Sequence, residues 1–154
     1  MPGIDPDSVN FLLADLARLF RAEFERRVTD ARLGVTPAEA RVLAHVARGA
    51  PIRQHLLAER LGVAQMSLTG FLDRLQAAGL VERVSDPEDR RAKRVRLTPA
   101  AEAVLEGVAA AGAAVRAQAR AEVPDADWER FRATAARMRD TLAAARDGRT
   151  RGAA

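Results

Sequence analysis

The sequence predicts a mainly α-helical fold that contains one small β-hairpin. Over most of the 154 residues, apolar side chains recur every three or four positions, which is the spacing of an amphipathic helix. Two short segments near residue 90 instead alternate apolar and charged residues, which is the spacing of a half-buried strand. Asp-Pro and Thr-Pro pairs precede several helical segments, and proline is tolerated at the first position of a helix.

The composition excludes several classes of protein. Apolar residues make up 48% of the chain, which is enough for a packed core. No apolar run approaches the ~18 residues of a membrane span, and the N-terminus does not resemble a signal sequence, so we expect a cytoplasmic protein. The absence of cysteine excludes disulfides, thiolate metal sites and cysteine nucleophiles. The net charge of +4 is compatible with a polyanionic partner.

The first two helices are predicted on either side of Gly34. The first follows Asp5-Pro6 and keeps its apolar spacing to about Arg32. The second follows Thr36-Pro37, where Thr36 and Glu39 can form a capping box by accepting hydrogen bonds from each other's backbone N–H groups. We expect its inward residues to be Ala40, Leu43, Val46 and Ala47, and we expect Ile52 to form a one-residue strand after it.

The segment from His55 to Leu80 predicts a helix, a tight turn and a second helix. Gly62 supplies the turn, because glycine adopts a positive φ without strain, and Gly79 ends the second helix. Helical hairpins in ordinary bundles have the same pattern, so these residues alone leave the function open. The inward residues are predicted to be Leu57, Ala58, Leu61, Leu68, Leu72 and Leu75.

A β-hairpin is predicted directly after these helices. Its strands are Leu80–Val84 and Arg94–Leu97, joined by the turn-rich sequence SDPEDRRA. The alternation turns Val95 and Leu97 inward. It therefore points Arg94 and Arg96 to solvent or phosphate, while Asp86 and Glu88 are expected to be turn formers. A hairpin that follows a helix-turn-helix is the arrangement of a winged helix.

Two further helices are predicted at residues 99–122 and 125–145. Their apolar stripes, like that of the first helix, exceed what the small winged-helix core needs, so we infer that both ends of the chain build a dimerisation region. The predicted organisation is an N-terminal helix at residues 1–34, a winged helix-turn-helix domain at 35–98, C-terminal dimerisation helices at 99–146 and a disordered tail at 147–154.

The segment GLVERVSDPEDRRAKRVRLT resembles the strand–wing–strand signature of the MarR family of bacterial transcriptional regulators. The resemblance extends back through FLDRLQAAGL, LAERLGV and TPAEARVL, in the same order along the chain. It implies a winged-helix homodimer, paired through the first and last helices, that binds double-stranded DNA. A helix fits the major groove of DNA, and arginines on a hairpin fit the narrow minor groove. The shape of the predicted fold therefore agrees with the DNA binding that the resemblance implies.

The resemblance also assigns residues to DNA contact. It implies that Arg91 enters the minor groove while Asp89 helps to hold it, and that Arg74 lies near the DNA backbone unless it pairs with Asp73 or a wing acid. Met66 stands where the family often has a small hydroxyl residue, and Gly70 stands where it often has a longer polar residue. The predicted DNA-binding residues are Gln65, Met66, Ser67, Thr69, Gly70, Arg74, Asp89, Arg90, Arg91, Lys93 and Arg94.

An effector pocket is predicted at Arg18, Arg41 and His45, because related regulators hold ligands between the dimer helices and the DNA-binding part. A plain surface role for His45 is the alternative, and no cofactor or metal site is expected. The predicted function is a sequence-specific, homodimeric and ligand-responsive repressor that binds a pseudo-palindromic operator. The alternative is a winged-helix adaptor that binds proteins without specific DNA binding. An enzyme is not expected, because no nucleophile–base pair is visible.

Overall fold

The computed structural model describes residue 3 and residues 5–49 and 51–152, with side chains described as far as Arg146. These residues form six α-helices and a three-stranded sheet, which confirms the mainly α-helical fold with a small hairpin. A short 3-10 turn at Pro99–Ala101 leads into the fifth helix. The elements are α1 Val9–Ala31, α2 Pro37–Ala47, β1 Ile52–Arg53, α3 Gln54–Leu61, α4 Gln65–Ala77, β2 Val81–Ser85, β3 Lys93–Leu97, α5 Glu102–Ala119 and α6 Asp125–Gly152.

The chain divides into two compact units, Met1–Val115 and Arg116–Ala154. The main core of the first unit lies between α2, α3, α4 and the sheet, and it includes the predicted inward residues of α3 and α4. A smaller apolar cluster joins α1, α2 and α5 through Val28, Ala40, Val108 and Ala111. Within the described residues, no helix is long and apolar enough to cross a membrane.

The capping box at the start of α2 is confirmed. The Thr36 hydroxyl accepts a hydrogen bond from the Glu39 N–H at 3.3 Å, and the Glu39 carboxylate accepts one from the Thr36 N–H at 2.9 Å. The predicted start of α1 was wrong by a few residues, because the helix begins after Ser8. The Asp5 carboxylate instead accepts a hydrogen bond from the Asp7 N–H at 3.0 Å, in a turn that precedes the helix.

Helix α2 buries a wider face than its apolar spacing indicated. Ala40, Leu43 and Val46 are buried as predicted, but Ala47 is exposed and Val42 is only 1% exposed. The reason is that α2 packs against α1 on one side and against α3, α4 and β3 on others. A helix surrounded in this way buries more than the single stripe that a period of 3.6 residues predicts.

The sheet is antiparallel with the strand order β1-β3-β2, so the return strand of the hairpin lies in the middle. Ile52 pairs with Val95, which confirms the short strand predicted there. The hairpin register pairs Val81 with Leu97 and Ser85 with Lys93. The hairpin follows α4 immediately, and the winged-helix arrangement of the elements is therefore confirmed.

In the second unit, α6 continues past the predicted end near residue 145 to Gly152. The prediction of a disordered tail is corrected for residues 147–152, and residues 153 and 154 lie outside the described residues. The extension is physically reasonable because no proline interrupts this segment, and an internal glycine costs a helix only about 1 kcal/mol. The predicted α6 stripe is largely exposed at Phe131, Met138 and Leu142.

Candidate nucleic-acid interface

The turn between α3 and α4 depends on one glycine. Gly62 has a φ of +65°, a conformation that residues with a side chain adopt only with strain. The N–H of Val63 donates a hydrogen bond to the Ala58 carbonyl at 3.1 Å, which closes the end of α3. Helix α4 then begins two residues later, after Ala64. This short connection directs the first turn of α4 away from the core.

Helix α4 has one buried face and one open face. Leu68, Leu72 and Leu75 are the buried residues of α4, and the opposite side of the helix does not pack into the core. The structure brings the predicted recognition residues together on the N-terminal half of the helix, and all are exposed except the half-buried Gly70. These residues are Gln65, Met66, Ser67, Thr69 and Gly70.

Two details of α4 reduce its capacity to donate hydrogen bonds to a partner. The Thr69 hydroxyl donates to the Gln65 carbonyl at 3.0 Å, so its proton is already used within the helix. Gly70 has no side chain, and a β-carbon placed there would meet only Arg74 Nη1, at 3.7 Å. The polar groups that remain in this half of the helix are therefore mainly those of Gln65 and Ser67.

Arg74 has a partner that the sequence did not indicate. Its Nε donates to Glu39 Oε1 at 2.6 Å, and its guanidinium lies 5.4 Å from the centre of the Phe71 ring. The predicted alternative, a pair with Asp73 or a wing acid, was wrong, because the acid that Arg74 meets is Glu39 on α2, while Asp73 pairs with Arg83. Arg74 itself keeps an exposed side chain, so this ion pair does not remove it from the surface.

Glu39, the acidic member of this ion pair, is buried. Burial alone would raise the pKa of Glu39, but hydrogen bonds from the Thr36 N–H and from Arg74 outweigh burial and hold the pKa below its ordinary value. The carboxylate therefore stays ionised and ties the start of α2 to the middle of α4.

The start of the wing loop is built around Asp86, which directly follows β2 and is 1% exposed. Its Oδ2 accepts hydrogen bonds from Arg53 Nε at 2.5 Å and from Arg94 Nε at 2.7 Å. Its Oδ1 accepts hydrogen bonds from the backbone N–H groups of Glu88 and Asp89 at 2.8 and 3.3 Å. We call Asp86, Arg53 and Arg94 the wing clamp, because they join β1, β3 and the start of the wing loop.

The wing clamp corrects the prediction that Arg94 points to solvent or phosphate. Arg94 is half-buried and bonded to Asp86, although Val95 beside it is buried as predicted. Hydrogen bonds from Arg53 and then Arg94 hold the pKa of Asp86 well below its usual range. The sequence predicted a strand at Ile52 but not its partner; only the structure places Arg53 opposite Arg94 beside the hairpin. The sequence offered no signal for the acid that it would contact.

The tip of the wing presents two arginines. The Asp89 carboxylate accepts a hydrogen bond from the Arg91 backbone N–H at 3.0 Å, so it orders the loop rather than the guanidinium. Lys93 donates to the Ser85 hydroxyl at 3.1 Å. Arg90 and Arg91 are exposed, and neither side chain has an ion pair with any other residue that the structure describes.

Known proteins share this arrangement of helices and wing. A family model described as the MarR family matches residues 33–92, which span the helix-turn-helix and most of the wing. The crystal structure of transcriptional regulator PA3341 is 34% identical, covers 86% of this chain and 96% of its own, and superposes with a TM-score of 0.73. The chain belongs to the MarR family. The resemblance stated from the sequence is thereby confirmed.

Two other solved structures are similar over most of the chain. A MarR-family transcriptional regulator from Silicibacter pomeroyi is 28% identical, with coverage of 85% of this chain and 87% of that one and a TM-score of 0.73. CouR from Rhodococcus jostii RHA1, in a structure bound to p-coumaroyl-CoA, is 25% identical. The match covers 88% of this chain and 90% of CouR, with a TM-score of 0.65. MarR-family members are transcriptional regulators, the class of protein that the sequence predicted.

The predicted effector residues of this MarR-family chain are only partly brought together. Arg41 and His45 lie one turn apart on α2, whereas Arg18 is exposed on α1 and pairs with Asp15. Arg41 Nη2 donates to the Leu61 carbonyl at 3.1 Å and so helps to close the end of α3. Burial lowers the pKa of Arg41, and the charge of Arg21 adds to this effect.

His45 is half-buried, and its Nδ1 has no hydrogen-bond partner among the residues that the structure describes. Burial lowers its pKa, and the positive charges of Arg48, Arg41 and Arg60 lower it further, so the ring is neutral at pH 7. Among the residues with described positions, no group of three or more His, Asp or Glu side chains could hold a metal ion.

A separate groove of about 430 Å³ lies between the end of α1 and the middle of α5. Arg26, Arg27 and Asp30 supply its charged wall, and small residues of α5 supply the other wall. Arg18, Arg41 and His45 do not line this groove. Their assignment to an effector site stays a prediction.

Proposed function

We propose that the protein is a homodimeric, sequence-specific DNA-binding repressor. The observation that carries the proposal is the combination of an open α4 N-terminus with a wing tip that bears two exposed arginines, neither of which has an ion pair among the described residues. Guanidinium groups without acidic partners suit a polyanion, and the wing clamp holds the hairpin that presents them.

The two elements suit the two grooves of B-DNA. The N-terminal half of α4 enters the major groove, where base edges differ in their donors and acceptors. Ala64 precedes α4 and has no side chain that caps it, so the first N–H groups of the helix are available to a phosphate. Arg91 reaches the minor groove, whose negative potential attracts an arginine. Arg90 and Lys93 contact the phosphates beside it, and Asp89 keeps the loop in position.

Dimerisation is supported by the apolar stripe of α1. Val9, Leu12, Leu13, Leu16 and Leu19 are exposed on one side of the helix, which is more apolar surface than an isolated helix in water favours. Helices α5 and α6 complete the dimerisation region. Two protomers on a two-fold axis present two copies of α4, so the operator is a pseudo-palindrome with half-sites about 10 bp apart.

We further propose that a small molecule releases the operator. The support is the relative CouR, whose structure contains p-coumaroyl-CoA, together with the cationic residues Arg41 on α2 and Arg18 on α1 and the neutral imidazole of His45 on α2. An effector that binds the DNA-free arrangement more tightly shifts the population away from the DNA-bound arrangement.

The alternative is a winged-helix adaptor that binds a protein partner without specific DNA binding. The sparse polar set on α4 favours it, since Gly70 has no side chain and the Thr69 hydroxyl proton is already used. Selection of duplexes from a random-sequence DNA library with the purified protein distinguishes the two functions. Enrichment of an inverted repeat supports the repressor, and an absence of any enriched sequence supports the adaptor.

Arg91→Ala is expected to weaken binding to the selected operator by about 10- to 100-fold while the protein remains dimeric. The reason is that each dimer loses two guanidinium groups from the minor groove. The slope of the logarithm of the binding constant against the logarithm of the salt concentration is expected to become less steep, by about one unit for each cationic group removed from the DNA. Fluorescence anisotropy at several salt concentrations measures both quantities.

Arg96→Ala is the matched control for Arg91→Ala. Arg96 lies on the same hairpin and is exposed, but it pairs with Glu82 at 2.7 Å across the strands. Its removal changes the charge by the same amount and is expected to change the affinity by less than about threefold, as for surface ion pairs in general. Equal losses in the two variants would contradict a specific role for Arg91.

A further inference from the structure

Met66 is an unusually exposed apolar side chain. It is 87% exposed, although it lies in the first turn of α4, a helix whose Leu68, Leu72 and Leu75 are buried. By helical spacing it lies on the opposite side from those leucines, on the same face as Gly70 one turn later. The fold of the described chain gains nothing from an apolar group in this position, so a partner is the natural reason for it.

The surface around Met66 offers few competing polar contacts. Gly70 contributes no side chain, and the one atom near the position that its β-carbon would take is Arg74 Nη1, at 3.7 Å. The Thr69 hydroxyl donates to the Gln65 carbonyl, so it cannot donate to a base at the same time. Met66 and the side-chain-free backbone at Gly70 therefore form a small apolar strip. Arg74 Nη1 lies beside it at Gly70, and the polar side chains of Gln65 and Ser67 flank Met66.

The major groove contains one apolar feature that fits such a surface. Each thymine carries a C5-methyl group there, and apolar side chains recognise it by contact. We propose that Met66 recognises the C5-methyl group of a thymine in each half-site and that Gly70 leaves the room for this close approach. The inference rests on the proposed function and adds a specificity-determining residue to it.

The test removes single methyl groups from the DNA. The operator selected from the random-sequence library is resynthesised with one thymine at a time replaced by deoxyuridine, which pairs identically but lacks the methyl group. For the wild-type protein, one such replacement is expected to weaken binding by about fourfold, the equivalent of ~0.8 kcal/mol for one buried carbon. Met66→Ala is expected to bind the unmodified operator more weakly and to show no further loss with deoxyuridine at that position.

Gln65→Ala provides the control, because it removes a neighbouring polar side chain on the same turn and should leave the response to deoxyuridine unchanged. Thermal unfolding of Met66→Ala should match that of the wild type, since the side chain is exposed. If wild type and Met66→Ala respond equally to every deoxyuridine, or neither responds, the thymine contact is wrong while DNA binding stands. If the library yields no enriched sequence, both this inference and the proposed function fail.

Discussion

Replacing Leu16 by aspartate is expected to raise the dissociation constant of the proposed dimer by about 100-fold or more, so that the protein is monomeric at micromolar concentration. Leu16 lies in the middle of the exposed apolar stripe of α1, between Leu12 and Leu19. A carboxylate placed in an apolar interface loses its hydration without gaining a partner, which costs several kcal/mol. A two-fold axis places two such charges in the same interface.

Sedimentation equilibrium measures this change directly. The control is Arg18→Gln, which alters the net charge by the same one unit on another side of α1 and removes only a surface pair with Asp15. It is expected to remain dimeric. The Leu16→Asp monomer is also expected to lose most of its operator affinity, because the second half-site no longer binds at a high effective concentration. A stable Leu16→Asp dimer would show that the α1 stripe is not in the interface.

Asp86→Asn is expected to lower the thermal midpoint of the protein by roughly 5–10 °C at pH 7. Asparagine has the same size, but it removes the charge that Arg53 and Arg94 share. It also places an amide NH₂ group, which can only donate, where a carboxylate oxygen accepts hydrogen bonds. The loss of the wing clamp is expected to weaken operator binding as well, because Arg91 is then presented by a less ordered loop.

The stability difference between wild type and Asp86→Asn depends on pH in a defined direction. The pKa of Asp86 is lowered in the folded protein, whereas the unfolded carboxyl group titrates near its ordinary value of about 3.9. The contribution of the charge is therefore complete above about pH 5 and is lost as the pH falls below about 4, since the unfolded chain then binds the proton first. The gap between the two thermal midpoints should narrow from pH 7 to pH 3.

Glu88→Gln is the control for the wing clamp. Glu88 also pairs with Arg53, at 2.9 Å, but its side chain is largely exposed. Surface ion pairs contribute little, so this variant should unfold close to the wild-type temperature. A gap between wild type and Asp86→Asn that stays constant with pH would mean that the carboxylate charge is not what stabilises the hairpin.

Much of the fold could be predicted because its signals are local. The capping box of Thr36 and Glu39 involves residues three apart, and the positive φ of Gly62 is a property of one residue. The buried leucines of α4 follow the helical period, and the hairpin follows the two-residue period of strands. Such patterns depend on backbone geometry, which repeats along the chain, and they are sufficient to identify a winged helix.

The sequence by itself therefore determined the order of the elements and the family, together with the surface on which a DNA partner is proposed. Only the tertiary structure decided which charges on that surface are already paired. Arg74 meets Glu39 from 35 positions away, and Arg94 meets Asp86 from 8 positions away, whereas Arg90 and Arg91 have no such partner in the described chain. The two-residue period of a strand predicts the face of the sheet on which a side chain lies, but it does not predict which residues pack against that face. Ion pairs between distant segments depend on how those segments pack, and packing leaves no periodic trace in the sequence.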